Sequence, residues 1–140
     1  MKAVLISIQP KWVKQIHNGE KKWELRTTMP QFDGHTIKVF TYETKSKSGR
    51  GKIVSEWELN TCFKFTNISG NPANRELLYN KARVTEKQLF NYSEAGKKTI
   101  YAWQIDDLKI YDNPKKITEF RNSKNQPLTR PPQSWCYVEE

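Results

Sequence analysis

The sequence predicts an α+β fold that is mostly β: a small mixed or antiparallel barrel of about six strands carrying two or three short helices. Three observations predict it. Apolar and polar residues alternate with a period of two over residues 22–26, 35–44 and 99–111. Aromatic residues make up 12% of the chain within a hydrophobic share of only 36%, which favours strands built from few, large side chains. Turn-forming clusters separate the runs without any repeat or linker, and 140 residues are enough for one core without crosslinks or metals, so residues 1–140 read as a single domain.

Each element follows in order. Residues 3–8 are a compact apolar run, a buried strand. Pro10 suits the first turn of a helix over 10–18, Trp12, Val13 and Ile16 recur at helical spacing, and Gly19 supplies the left-handed stop. In the next strand Trp23 and Leu25 point one way while Lys22, Glu24 and Arg26 point the other. Over 35–44, Ile37, Val39 and Thr41 oppose Phe40 and Tyr42. KSKSGRGK, residues 45–52, is a basic loop, and 53–65 form one long bent strand or a hairpin. SGNPAN, residues 69–74, is a loop by composition, and the capping box Thr85-Glu86-Lys87-Gln88 starts a helix. Along 99–111, Tyr101, Trp103 and Ile105 alternate against Ala102, Gln104 and Asp106, and Asp112-Asn113-Pro114 ends the strand. A short helix covers 115–120. Residues 121–140 pack as a proline-rich segment and a last strand over SWCYV.

The net charge is +9, from 24 Lys plus Arg against 15 Asp plus Glu, which favours polyanionic partners, nucleic acid (RNA or DNA) or less often an acidic membrane surface, without choosing between them. Cys62, Cys136, His17 and His35 show no metal-ligand spacing, so neither a metal nor a cofactor is expected. The first apolar run is too short for a signal sequence and no run reaches membrane-spanning length, so the expected location is the cytoplasm, with no membrane partner.

The stretch ISIQPKWVKQIHNGEKKWELR resembles the ASCH domain, a branch of the PUA-like superfamily. Its signature, Gly-x-Lys-x-x-Glu-x-Arg, is met by Gly19, Lys21, Glu24 and Arg26. Ser7, Ile8, Pro10 and the aromatic Trp12 also match what the family carries upstream. KVFTYETK, GKIVSE and YAWQIDDLKIYDNPKKITEF resemble its later strands, so the likeness runs over residues 1–120. The tail PLTRPPQSWCYVEE is similar to that of small ASCH proteins of phages and prophages. Two positions depart: Ser55 stands where the family commonly has Gly, implying a local backbone change, and Gln104 stands where phage-type members have His.

The resemblance implies a PUA-like barrel that binds RNA or a modified nucleotide. In that reading Gly19 gives a ligand room, and Lys21, at the rim, contacts phosphate. Glu24 orients Arg26 and accepts from an exocyclic amine, and Arg26 contacts phosphate or base. Without the resemblance, Lys22, Glu24 and Arg26 read as a solvated strand face, and Lys22 keeps that reading. Trp12 is assigned to the cleft, Trp23, Trp57 and Trp103 to the core, and Trp135 to pinning the tail. Lys45, Arg50, Lys52 and Arg130 complete the candidate nucleic-acid-binding set as backbone contacts, with Lys47 on the same loop. Removing Lys21 or Arg26 is then expected to weaken RNA binding and leave the melting temperature nearly unchanged.

Two other classes compete. Some relatives are amidohydrolases that remove an acetyl group from N4-acetylcytidine, and an enzyme here would use Lys21 as base together with Glu24. Those hydrolases carry Thr where this chain has Glu24, and spacing cannot align Glu76, Glu86 or Glu94 as a second carboxylate. Ribonuclease activity also occurs in the family, but the sequence offers no histidine pair to carry it. A protein-interaction module with a basic face is the third class. Nucleic-acid binding falls steeply with salt, whereas a protein partner survives nuclease treatment in a pull-down.

Overall fold

The computed structural model describes residues 2–140. Along the chain lie β1 (Lys2–Ile8), α1 (Pro10–His17), β2 (Trp23–Arg26), β3 (Ile37–Glu43), β4 (Lys52–Leu59), β5 (Cys62–Phe65), α2 (Pro72–Ala82), α3 (Glu86–Tyr92), β6 (Ile100–Gln104), β7 (Asp106–Lys115) and β8 (Trp135–Glu139). Single 3₁₀ turns sit at Ser46–Ser48, Ile68–Gly70 and Ile117–Glu119. The strands make two sheets, one in the order β7-β4-β3-β1-β8 and one in the order β2-β6-β5. Only the β1–β3 pairing is parallel; β8 closes antiparallel on the other side of β1.

No ladder joins the sheets among the described residues, so two packed sheets replace the expected closed barrel. The six expected strands become eight because two runs cross between sheets. Residues 53–65 pass from β4 to β5 through Asn60 and Thr61, and residues 99–111 pass from β6 to β7 at Ile105, whose N–H donates to the Lys22 carbonyl at 3.0 Å. Alternation fixes which way side chains point along a strand; it does not name the strand's neighbour.

β1 and β3 lie inside the larger sheet and bury both faces, which is why residues 3–8 read as an unbroken apolar run. Val4, Ile6 and Ile8 pack with Val39, Trp57, Trp103 and the α1 residues Val13 and Ile16. On the opposite face Ala3 and Leu5 meet Phe40, Tyr42 and Phe120. Trp23, Leu25 and Ala102 of the smaller sheet pack on Leu78 and Ala82 of α2 and Leu89 of α3. Trp23, Trp57 and Trp103 are therefore core residues.

Three local expectations are corrected. Half of the expected loop 69–74 is the start of α2: the Asn71 side chain accepts from the Asn74 N–H at 3.1 Å and Pro72 occupies the first turn. Asp112-Asn113-Pro114 does not end β7, because β7 is the outer strand of its sheet and an edge tolerates a residue with no N–H. The expected helix over 115–120 shrinks to one 3₁₀ turn. The capping box holds, with the Gln88 N–H donating to Thr85 Oγ1 and the Thr85 N–H to Gln88 Oε1. Among the described residues no helix is long and apolar enough to cross a membrane.

Candidate functional site

A cleft of about 630 Å³ opens where the end of β1, the start of α1, β2, α3 and residue 133 meet. Its construction starts at Gly19. This residue has φ +84°, and its N–H donates to the Ile16 carbonyl at 3.1 Å, stopping α1. The next amides, of Glu20 and Lys21, both donate to the Gln15 carbonyl, and the chain reverses so that Lys21 turns inward.

Lys21 is only 3% exposed, not at the rim as expected. Its Nζ donates to the Ala82 carbonyl at 2.5 Å, lies 4.7 Å from the centre of the Trp12 ring, and sits 3.6 Å from Glu24 Oε1. Ala82 ends α2, so the ammonium meets the negative end of a helix. Burial pushes the Lys21 pKa below the ordinary lysine value; Glu24 pulls it back up without offsetting the burial, and Arg26 adds to the lowering.

Glu24, 5% exposed, divides its oxygens. Oε2 accepts from Arg26 Nη2 at 2.6 Å and Nε at 3.2 Å, leaving Oε1 for Lys21 and the cleft. Arg26 Nη2 also donates to the Ser7 carbonyl at 2.8 Å, and Nη1 donates to Ser134 Oγ at 3.0 Å and to the Ser134 carbonyl at 3.5 Å. Every guanidinium nitrogen is thus engaged. Removing either cation would unpick a buried network, so the melting temperature is expected to fall along with any binding.

Trp12, Lys21, Glu24 and Arg26 come together in the lining. The other expected residues lie outside it. Gly19 is exposed and a Cβ there would meet nothing within 4 Å, so its part is to turn the chain rather than to make room for a ligand. Arg50 folds back on Glu43, donating from its N–H at 2.6 Å, from Nε at 3.0 Å and from Nη2 at 3.1 Å. Burial alone would raise the Glu43 pKa; the Arg50 donors outweigh it and hold the carboxyl below its usual range. Lys45, Lys47, Lys52 and Arg130 are exposed. Within the basic loop the backbone packs closely at Gly49, where a Cβ would lie 1.7 Å from the Thr44 carbonyl oxygen. Trp135 pins the tail, its Nε1 donating to Thr28 Oγ1 at 2.8 Å and its ring packing edge-on against Trp103.

The lining also holds residues that the sequence did not assign to the site, among them Lys11, Gln88, Asn91, Tyr92 and Gln133. Gln88, Asn91 and Tyr92 fall at i, i+3 and i+4 after the capping box, the one pattern that points to a shared face. Ser55 is fully buried and its Oγ pairs with His17 Nε2 at 2.9 Å, tying α1 to β4, which is more than a local backbone change. Burial and Arg50 push the His17 pKa down against the pull of Glu43. Gln104 donates to Asp106 at 3.3 Å, away from the cleft. Glu76, Glu86 and Glu94 do not enter the lining. Among the described residues no group of three His, Cys, Asp or Glu side chains is placed to hold a metal ion.

The first helix and second strand of this mixed-β domain thus enclose a buried Lys–Glu–Arg group beside an open cleft. Residues 6–121 match the ASCH domain, and the chain belongs to that family. The crystal structure of ASCH from Zymomonas mobilis superposes with a TM-score of 0.74 at 20% identity, covering 99% of this chain and 88% of that one. A tyrosine-to-phenylalanine variant of the same protein gives 0.72 at 20% identity, covering 100% and 92%. At such identity the likeness concerns the fold alone. No curated protein matches the sequence.

Proposed function

We propose that the chain binds RNA, or a modified nucleotide, in this cleft. The observation that carries the reading is Glu24 Oε1. Its partner oxygen is saturated by Arg26, and Oε1 stands 3.6 Å from the Lys21 ammonium, so an acceptor and a donor lie side by side, the donor 4.7 Å from the centre of the Trp12 ring. That pairing suits a base edge carrying an exocyclic amine beside a ring nitrogen, as in cytosine or adenine, with Trp12 or Tyr92 as a stacking surface. The three cations of the lining, Lys11, Lys21 and Arg26, and the overall charge of +9 support an anionic ligand. Its motif and later strands also resemble those of the PUA-like modules, known chiefly as RNA binders, which supports the reading.

The test is binding of short single-stranded RNA and of free nucleosides followed by tryptophan fluorescence. Trp12→Ala is expected to weaken binding about 5-fold to about 150-fold, the worth of one base–aromatic stack. Equal affinity in the variant would remove the assignment.

The depressed pKa of Lys21 favours a second reading, hydrolysis of an N4-acylated cytidine. Unprotonated Lys21 would take a proton from a water attacking the acyl carbonyl and return it to the cytosine nitrogen as the C–N bond breaks, giving cytidine and acetic acid, which ionises to acetate. Absence of acetate release at high protein concentration would set it aside.

A further inference from the structure

One wall of the cleft, beside the motif strand, comes from the far end of the chain. Ser7 Oγ donates to the Pro132 carbonyl at 2.7 Å and the Ser7 N–H to the Ser134 carbonyl at 2.9 Å, while Arg26 Nη1 grips Ser134 Oγ. Pro131 and Pro132 stiffen the approach by fixing φ at two successive residues. Between the two anchored residues stands Gln133, exposed, in the lining, its carboxamide bonded to no described residue. The backbone that carries this side chain is ordered before any ligand arrives, which lowers the entropic cost of using it.

We infer that Gln133 is a specificity-determining residue of the cleft and that Arg26 is its positioning residue, holding the 132–134 wall rather than touching ligand itself. Arg26 has no free nitrogen to offer: all three are engaged by Glu24, Ser7 and Ser134. The carboxamide offers a donor and an acceptor together and takes a base edge with the complementary pair. Adenine presents one through N6 and N7. With Glu24 Oε1 accepting a second N6 hydrogen, the lining suits an adenine-type base on two edges. This assignment rests on the nucleotide-binding reading above, whereas the role of Arg26 does not.

The experiment has two arms. In the ligand-free protein, hydrogen exchange at the Ser7 amide reports docking of the wall, because that N–H donates to Ser134. Arg26→Lys and Ser134→Ala are each expected to speed it about 10-fold or more, an opening cost of one good hydrogen bond to a charged group. In the binding arm, wild type should prefer oligo(rA) to oligo(rU). Gln133→Ala, an exposed site with little bearing on folding, should lower oligo(rA) affinity about 5-fold to about 150-fold and level the preference. Ser134→Ala should shift binding in the same direction. Unchanged exchange in both wall variants overturns the positioning role. Unchanged oligo(rA) affinity in Gln133→Ala, or a wild-type preference for oligo(rU), overturns the specificity role. If wild type binds no oligoribonucleotide, the nucleotide reading and Gln133 as a base reader fall together, while the exchange arm still decides Arg26.

Discussion

Replacing Glu24 with Gln isolates what the buried charge group contributes to folding. The substitution keeps shape and one carbonyl acceptor but removes the negative charge shared by Lys21 and Arg26. The Lys21 and Glu24 side chains are 2% and 7% exposed and that of Arg26 is 13% exposed, so two cations would be left in a dry niche with no counter-charge. Breaking a buried ion pair from one side costs roughly 3–5 kcal/mol. The lower end applies here, because Arg26 retains Ser7 and Ser134 and Lys21 retains the Ala82 carbonyl. A loss of about 3 kcal/mol in a chain of this length lowers the melting temperature by about 10 °C. Urea unfolding and thermal melts followed by circular dichroism measure it. The double variant Lys21→Met with Glu24→Gln should lose less than the sum of the two single changes, since it removes a stranded cation along with its partner. A Glu24→Gln melting temperature within about 2 °C of wild type would refute the burial argument, because that is the size expected of an exposed pair.

Lys21→Met should reshape the dependence of stability on pH. In the folded protein Lys21 releases its proton at a lower pH than in the unfolded chain, so between the two pKa values the unfolded state binds more protons and stability rises with pH. Relative to the Met variant, wild type should therefore gain stability from neutral towards alkaline pH; parallel curves would show that the ammonium is solvated. Gly49→Ala should destabilise by about 1–3 kcal/mol in urea melts, because its methyl would collide with the Thr44 carbonyl, and a neutral result would mean the basic loop yields freely.

Much of this architecture is written locally. The period of two in β2 puts Glu24 and Arg26 on one face, and their 2.6 Å contact follows from that spacing. Thr85 and Gln88 announce α3 because a capping box uses only neighbouring residues. What escapes is set by distant partners. The inward turn of Lys21 depends on the Ala82 carbonyl, 61 residues away, and Arg26 is saturated by Ser134, 108 residues away. Asn71-Pro72 carries the same composition whether it closes a loop or opens α2; only the packing of Leu78 and Ala82 on the smaller sheet decides. Arg50 looks like a free phosphate contact until Glu43, a strand residue, ties down its Nε and Nη2.

Because β8 lies against β1, the opening strand stays incomplete on one side until residues 135–139 are present. A ribosome-bound chain lacking them would have every signature residue in place and still no finished pocket. A truncation before Gln133 should therefore unmake the pocket without touching Gly19, Lys21, Glu24 or Arg26.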